Sequence, residues 1–180
     1  DPATVGKATY TPDLDRYRLR WMNVKYEPGE IRVVAYGKDG KPAMEKSVKT
    51  AGAPAQLLLS ADRKTISADG NDLCYVTVTM ADKDGNPCPL ASDQLEFTVE
   101  GEGTFKCVCN GDATSLEPFT QPRMKLFNGQ LVVTVQSTAD KGTMTLKVSR
   151  PATPAVKARK GRKAIAAQPA IEAQMVIATK

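Results

Sequence analysis

The stretch Leu95-Glu96-Phe97-Thr98-Val99-Glu100 alternates apolar and polar side chains. Because successive side chains of a β-strand point to opposite faces, this pattern predicts a strand with one face on a core and the other in water. Thr and Val are abundant in the stretches that share the pattern, as pleated surfaces favour. These stretches are 73–80, 131–136 and 143–148. Helix signals are nearly absent, so the chain is predicted to be all-β.

Turn signals separate these runs at short intervals. Gly and Asn accept positive φ, and Asp bonds to its own backbone, so such clusters reverse the chain. Many short strands divided in this way are typical of a β-sandwich. Residues 54–180 can supply seven or more strands and are predicted to form one immunoglobulin-like β-sandwich. The turn signals lie at 69–72, 84–87, 101–103, 128–129 and 140–142.

Residues 1–53 have a different organisation. Tyr17, Leu19 and Trp21 form one face of a predicted strand, and two more strands are predicted at 31–36 and around 45–49. Three strands are too few for a sandwich and marginal for independent stability. We therefore interpret 1–53 as the last strands of a second, truncated β-sandwich module, or as a sheet that borrows a partner. Residues 50–54 are the predicted linker.

The positive charge of the chain is concentrated in one segment. The net charge is +5, and five Lys and Arg residues lie in 157–163, while 151–170 contain no Asp or Glu. Pro151, Pro154 and Pro169 forbid a long helix there. The segment is predicted to be a loop insertion, disordered in its middle, before a last strand at 174–179. Nucleic-acid-binding domains spread basic residues over a face, so no nucleic-acid partner is expected; a polyanion at Lys157–Lys163 is the alternative.

Several kinds of reactive site are disfavoured by composition. Histidine is absent, which removes the commonest general base and metal ligand. The four cysteines lack the spacing of a zinc ribbon. Cys107 and Cys109 are predicted to point inward with Phe105 as small buried residues; a disulfide from either to Cys74 is the alternative. Cys88 is predicted to be a loop thiol. We expect no catalytic, cofactor-binding or metal-binding residue, and no cofactor.

Two polar stretches could be mistaken for sites. Residues 82–86 mimic the start of a calcium loop, but position 93 is Asp and both flanks read as strands, so a hairpin turn is predicted. Asp112 and Glu117 could be read as paired glycosidase carboxylates, which must face each other across a cleft. The favoured interpretation is that their side chains bond backbone amides of the loop 110–119. Leu116 and Phe119 would then anchor that loop.

Trp21 is the only tryptophan, and exposed aromatic side chains often form sugar-binding surfaces. Its alternation with Tyr17 and Leu19 favours a core position instead. A carbohydrate platform, or a contact with a neighbouring domain, is the alternative. Trp21, Asp112, Glu117 and Phe119 are accordingly the candidates for carbohydrate or interdomain contact.

Two sets of residues carry a family resemblance. One is Asn110 to Phe119 followed by Phe127-Asn128-Gly129. The other is Leu19-Arg20-Trp21, Tyr26 to Ile31, Ala35-Tyr36 and Asp39-Gly40-Lys41. In this order and spacing they resemble the C-terminal, non-catalytic β-sandwich modules of glycoside hydrolase family 2 enzymes of the β-galactosidase type. The basic segment 151–170 has no obvious equivalent in that family.

The resemblance implies a non-catalytic, accessory region of a carbohydrate-degrading enzyme. The family's catalytic glutamates lie in a barrel that has no counterpart here, so no catalytic residue is carried over. The implied partners are that barrel and the other modules of the parent chain, with glycans as a further partner. A periplasmic or extracellular bacterial location is implied, although residues 1–20 carry no signal-peptide pattern. No run of about 18 apolar residues occurs, so no membrane span is expected. A carbohydrate-binding or cell-surface adhesion module is the alternative function.

Overall fold

A computed structural model describes residues 13, 17, 20–157, 164 and 166–180. The described residues form β-strands joined by turns and irregular segments, and they contain no helix long and apolar enough to cross a membrane. The chain divides into two compact units, Asp1–Thr50 and Ala51–Lys180. We call them the N-terminal unit and the sandwich unit. The predicted strand around Tyr17 and Leu19 lies largely outside the described residues.

The described part of the N-terminal unit contains one antiparallel hairpin, formed by β1 (Glu30–Tyr36) and β2 (Pro42–Lys49). Its turn includes Gly40, whose φ of +73° suits glycine. At its open end, the Thr50 amide donates to the Gly29 carbonyl at 2.8 Å, and the Gly29 amide donates to Thr50 Oγ1 at 3.0 Å. At the turn, the Gly37 amide donates to the Lys41 carbonyl at 2.8 Å, so hydrogen bonds close the hairpin at both ends.

The sandwich unit consists of two packed sheets, as the alternation predicts. One sheet has the order β4-β11-β10-β6-β8, and the other has the order β3-β5-β9-β7. Apart from a short parallel pairing of β11 with β4, all neighbours are antiparallel. The strands are β3 (Gln56–Ala61), β4 (Thr65–Ile66), β5 (Leu73–Ala81), β6 (Gln94–Gly101), β7 (Gly103–Cys109), β8 (Arg123–Lys125), β9 (Gln130–Ser137), β10 (Gly142–Arg150) and β11 (Ile171–Thr179).

The core lies between the two sheets and is built from alternate residues of each strand. Burial of these side chains is the main stabilising contribution, at about 1.5–3 kcal/mol for each large apolar group. The Phe97 and Phe105 rings stack across the two sheets with their centroids 6.2 Å apart. The predicted inward faces are confirmed for Cys74 to Met80, Leu95 and Phe97, Leu131 to Val135, and Met144 to Val148.

The predicted inward position of Cys107 and Cys109 is wrong. A register shift between Phe105 and Cys107 makes Lys106 an extra residue in β7. Such a bulge exchanges the two faces of a strand from that point on. Val108 is therefore the fully buried residue, Cys107 is half-buried and Cys109 is exposed. All four cysteines are free thiols, so the alternative bridge to Cys74 is not formed.

The loop inserted between β10 and β11 has a closed neck. Thr153 and Gln168 pair through two backbone hydrogen bonds of 3.0 and 2.9 Å. Strand β11 begins at Ile171, three residues before the predicted start, because Ile171 pairs with Arg150 at the end of β10. The predicted disorder in the middle of this loop falls on residues 158–163, which lie outside the described residues.

Candidate functional site

Most of the long connections of the sandwich unit lie at one end of it, which we call the linker end. Gln56, where the chain enters β3, is opposite Ala81 at the end of β5. In the other sheet, Gln94 at the start of β6 is opposite Lys125. A hydrogen bond from the Leu126 amide to the Asp93 carbonyl, at 3.0 Å, joins the connection before β6 to the one after β8. The described residues of the linker end are 51–55, 82–93, 110–122, 126–129, 151–157, 164 and 166–170.

Asp82 organises one side of the linker end. Its carboxylate accepts hydrogen bonds from the backbone amides of Gly52 at 2.8 Å, and Asp84 and Asn86 at 2.9 Å each. The Asn86 side chain adds a fourth donor at 3.0 Å. Asp82 is 2% exposed. The Gly52 amide, followed by the Asn86 side chain, holds the pKa of Asp82 well below its usual range, because each donor favours the charged carboxylate.

The turn predicted at 82–86 is confirmed, and it is a structural turn. The Gly85 amide donates to the Asp82 carbonyl at 3.1 Å, and the Asp82 amide donates to the Asn86 carbonyl at 2.9 Å. Gly85 has a φ of +83°, a conformation that side chains disfavour. The Asp82 carboxylate therefore ties this turn to Gly52 in the segment that leads into β3.

The loop 110–122 crosses from β7 in one sheet to β8 in the other. Asn110 Nδ2 donates to the Lys125 carbonyl at 3.0 Å, and the Lys125 amide donates to Glu117 Oε2 at 3.2 Å. The Val108 amide donates to the Phe119 carbonyl at 2.9 Å. Polar side chains thus replace regular strand pairing, as predicted, and the loop covers the edges of β7 and β8.

Asp112 and Glu117 are both engaged within this loop. Asp112 Oδ1 accepts from the Thr114 hydroxyl at 2.7 Å and from the Thr114 amide at 2.9 Å. The Thr114 hydroxyl, then its amide, lowers the pKa of Asp112. Glu117 accepts from the Lys125 backbone. Asp112 therefore holds a turn within the loop, and Glu117 joins the loop to β8. Both carboxylates bond backbone amides, which is the favoured interpretation of the sequence.

The aromatic and aliphatic candidates occupy different surroundings. Leu116 is 97% exposed and Phe119 is 52% exposed; the prediction that their side chains anchor the loop is wrong for Leu116, because backbone and polar contacts hold the loop instead. Trp21 lies in irregular backbone and is 36% exposed, so it is not in a buried core. Trp21 belongs to the N-terminal unit and Phe119 to the sandwich unit.

Arg150 closes the neck of the inserted loop and was not singled out from the sequence. Its guanidinium Nη1 donates to Gln168 Oε1 at 2.9 Å and lies 3.4 Å from Asp93 Oδ1, and its Nη2 donates to the Pro169 carbonyl. The side chain is 4% exposed. An arginine at an inward position of an alternating strand is the signal that could have identified it, since a buried charge requires partners.

The two buried thiols, Cys74 and Cys88, lack the surroundings of reactive cysteines. Burial raises the pKa of Cys74 to about 11, and it also raises the pKa of Cys88. Within the described residues, no group of three or more acidic or thiol side chains could hold a metal ion. The linker end is held by hydrogen bonds of its polar side chains and exposes Leu90, Leu116 and Phe119, and we identify it as the candidate contact surface of the sandwich unit.

Family comparisons match both units. Residues 57–159 match the family model described as glycoside hydrolase family 2 C-terminal domain 5. Residues 1–44 match a domain of unknown function, DUF4982.

Individual relatives agree with the family match. The chain is similar to the β-galactosidase BoGH2A of Bacteroides ovatus, with 42% identity over 134 residues, which cover 74% of this chain and 16% of that protein. It is also similar to a β-glucuronidase of Formosa agariphila, with 28% identity over 75% of this chain and 14% of that protein. The crystal structure of a glycosyl hydrolase family 2 member from Bacteroides cellulosilyticus superposes with a TM-score of 0.75 and 28% identity, over 96% of this chain and 21% of that one.

Proposed function

Since the chain belongs to glycoside hydrolase family 2, through the C-terminal domain 5 that its sandwich unit matches, we propose that it is the non-catalytic C-terminal region of a β-galactosidase-like glycosidase. The match over residues 57–159 carries this proposal. The chain spans 16% of the B. ovatus relative, which supports the proposal that it is one part of a longer polypeptide that carries the activity. Its role there is structural and accessory: it supports the catalytic part or shapes access to extended glycans.

The linker end supports this accessory role through its internal bonding. The carboxylates that could be imagined as an acid and a nucleophile, Asp112 and Glu117, accept hydrogen bonds from Thr114 in the same loop and from Lys125 in β8, respectively. A retaining or inverting glycosidase needs two carboxyl groups free to face the sugar from both sides. These two side chains serve the loop that closes the edge of the sandwich.

The β-galactosidase type is proposed over the β-glucuronidase type because the B. ovatus relative is the more similar of the two, at 42% against 28% identity. As the resemblance implies, the parent enzyme acts in the periplasm or outside a bacterial cell. Fractionation of the producing cells would test that location.

The decisive experiment compares three proteins on aryl β-galactosides and aryl β-glucuronides: this chain, the parent polypeptide, and the parent lacking residues 51–180. We expect no turnover by the chain alone. The shortened parent should keep kcat on the small substrates within about threefold, because the reacting groups lie elsewhere, and should lose thermal stability or activity on extended glycans. Hydrolysis by the chain alone, or loss of all activity on every substrate by a shortened parent that remains folded, would refute the proposal.

A carbohydrate-binding role is the second candidate, and the exposure of Phe119 at the linker end favours it. Aromatic rings at 52% exposure can stack on sugar faces. Glycan-array binding that is lost in Phe119→Ala, and kept in the control Leu90→Ala, would support it. Leu90 is a suitable control because it lies at the same end and is 95% exposed. Trp21→Ala tests the same role for the N-terminal unit.

A further inference from the structure

The hairpin of the N-terminal unit has one apolar face and one polar face. In an antiparallel pair, directly opposed residues share a face. Ile31 is opposite Val48, and Ala35 is opposite Met44. Val33 lies between them on the same face, opposite Lys46. We call this set, Ile31, Val33, Ala35, Met44, Lys46 and Val48, the hairpin apolar face.

The opposite side of the same hairpin carries most of its charged side chains. Glu30 is opposite Lys49, and Arg32 is opposite Ser47. Arg32 also pairs with Glu45 across the strands. Val34 and Tyr36 also lie on this side, Val34 opposite Glu45. Charged side chains of both signs are nevertheless concentrated on this face and aliphatic side chains on the other, which is the pattern of a strand pair that packs one side on a core.

The hairpin apolar face is nevertheless open. Ile31 is 63% exposed, Val33 42%, Met44 74% and Val48 66%. Surface apolar residues are normal when scattered singly, but four in adjacent register positions form a contiguous patch. A two-stranded hairpin alone is at best marginally stable in water, so it requires a covering layer. The hydrogen bonds between Gly29 and Thr50 hold the hairpin in a defined shape without supplying that layer.

We propose that the hairpin apolar face is covered by the inner face of a β-sheet from the polypeptide that precedes this chain in the parent enzyme. The match of residues 1–44 to a family model separate from that of the sandwich unit supports this, since it assigns β1 and the turn of the hairpin to a domain of their own. Most of the parent lies outside the chain, which covers 16% of the B. ovatus relative and 21% of the superposed crystal structure. Aliphatic side chains on one face of a strand pair are typical of a surface that packs against a second sheet, at a distance of about 10 Å between the sheets.

The expected partner surface follows from the patch. It presents branched aliphatic or aromatic side chains opposite Ile31, Val33 and Val48. Lys46 is the one charge on the hairpin apolar face. Its ammonium reaches the rim of the interface, where the stem covers apolar surface and the charge stays in water. The N-terminal unit is then the closing part of a second sandwich.

The test measures thiol labelling at neighbouring positions on opposite faces. Both proteins, this chain and the parent polypeptide, carry Cys107→Ser and Cys109→Ser, which remove the half-buried and the exposed native thiols. Val48→Cys places a thiol on the hairpin apolar face, and Ser47→Cys is the matched control one residue away on the polar face. A maleimide reagent reports the labelling rate of each. Amide hydrogen exchange of residues 30–49 in both unsubstituted proteins gives a second measurement that needs no variant.

In this chain, both introduced thiols should label at rates within about threefold of each other. In the parent, labelling of Val48→Cys should slow by at least about tenfold, because a covered side chain reacts only through local opening. Ser47→Cys should label equally fast in both. Exchange at the amides of 30–49 should likewise slow in the parent.

Equal labelling of Val48→Cys in chain and parent, with equal exchange, would overturn the proposal. Protection already present in the chain would also overturn it. A dependence on protein concentration would assign the cover to a second copy, and independence would assign it to another part of this chain. The proposal rests on the proposed function only in placing this chain within a longer polypeptide. Thiol labelling does not depend on enzymatic activity. An inactive parent would therefore refute the glycosidase role, and the labelling rates would still test whether the hairpin apolar face is covered.

Discussion

At the scale of single residues, the sandwich unit depends on a few buried polar groups with several partners each. Asp82 accepts from three backbone amides and one side chain, and Arg150 joins Asp93 to the end of the inserted loop. An alternating pattern identifies which apolar residues are buried, but it carries no information about which loop donors will converge on one carboxylate. Asp82 therefore belonged to a correctly predicted turn, while its bond to Gly52 could not be predicted.

The contribution of Asp82 to stability should depend on pH. Its folded pKa lies below the value of about 3.9 for an unfolded aspartate. Its stabilisation is therefore fully present above the unfolded pKa and declines as pH falls through that value toward the folded pKa. Asp82→Asn should lower the free energy of unfolding at pH 7, and the difference from the unsubstituted chain should narrow below about pH 4.

Urea unfolding at several pH values measures this effect. Asp84→Asn is the control, because Asp84 is exposed and its carboxylate pairs with Lys83 on the surface. If the free energy of unfolding of Asp82→Asn differs from that of the unsubstituted chain by the same amount from pH 7 down to pH 2.5, the stabilising role of the ionised Asp82 carboxylate is contradicted.

Two cations of strand β10 should differ sharply in their importance. Arg150 is 4% exposed and holds Asp93 and Gln168, whereas the Lys147 side chain is 47% exposed in its ion pair with Glu100. Arg150→Ala should cost about 3 kcal/mol, since it leaves buried polar partners unpaired. Lys147→Ala should cost less than about 1 kcal/mol. Chemical denaturation measures both, and similar costs for the two variants would show that the neck of the loop does not depend on Arg150.

At the scale of elements, most strands follow from the sequence alone, and the exceptions have local causes. The alternation located β5, β6, β9 and β10, because a half-buried strand requires it. The bulge in β7 escaped prediction because Phe105, Cys107 and Cys109 alternate correctly by themselves. The bulge is visible only in the pairing with β9, where Phe105 is opposite Val135 and Cys107 is opposite Thr134. Lys106 is then left without a partner residue. The start of β11 was likewise set by Arg150 in its neighbour.

Two glycines have similar backbone conformations but different surroundings. Substituting each of them therefore distinguishes the cost of backbone strain from the cost of a steric clash. Gly111 and Gly129 have φ of +77° and +75°, but a Cβ on Gly111 would meet nothing within 4 Å, whereas one on Gly129 would lie 2.2 Å from the Cys88 carbonyl oxygen. Gly111→Ala should cost about 1 kcal/mol, the usual penalty of a left-handed conformation. Gly129→Ala should cost at least about 3 kcal/mol, because the backbone of 88–89 must move. Thermal and urea unfolding measure both costs, and equal values would show that this contact is soft.

At the scale of the whole molecule, the two units differ in how complete they are. The buried core of the described residues runs from Leu57 to Ile177, all within the sandwich unit. The described N-terminal unit has a hairpin with an open apolar face. A domain that contains its own core can fold alone, and a lone hairpin cannot be expected to.

Residues 51–180 expressed alone should therefore unfold in one cooperative transition. Its midpoint should lie within about 3 °C of the sandwich transition in the full chain, a shift that corresponds to less than about 1 kcal/mol. Residues 1–50 alone should show no cooperative transition. Differential scanning calorimetry measures both, and a sandwich unit that melts only in the presence of residues 1–50 would contradict this division of the chain.

The sequence by itself determined the all-β class, the faces of β5, β6, β9 and β10, the turns at 82–86 and 128–129, and the resemblance to glycoside hydrolase family 2. These features are local: alternation, turn chemistry and short ordered strings are visible in neighbouring residues. Tertiary structure alone decided the bulge in β7, the convergence of amides on Asp82, the buried Arg150 at the neck of 151–170, and the exposure of Leu116 and Trp21. Each of these depends on which distant segment lies opposite, and pairing between residues far apart in the chain is settled only when the sheets pack.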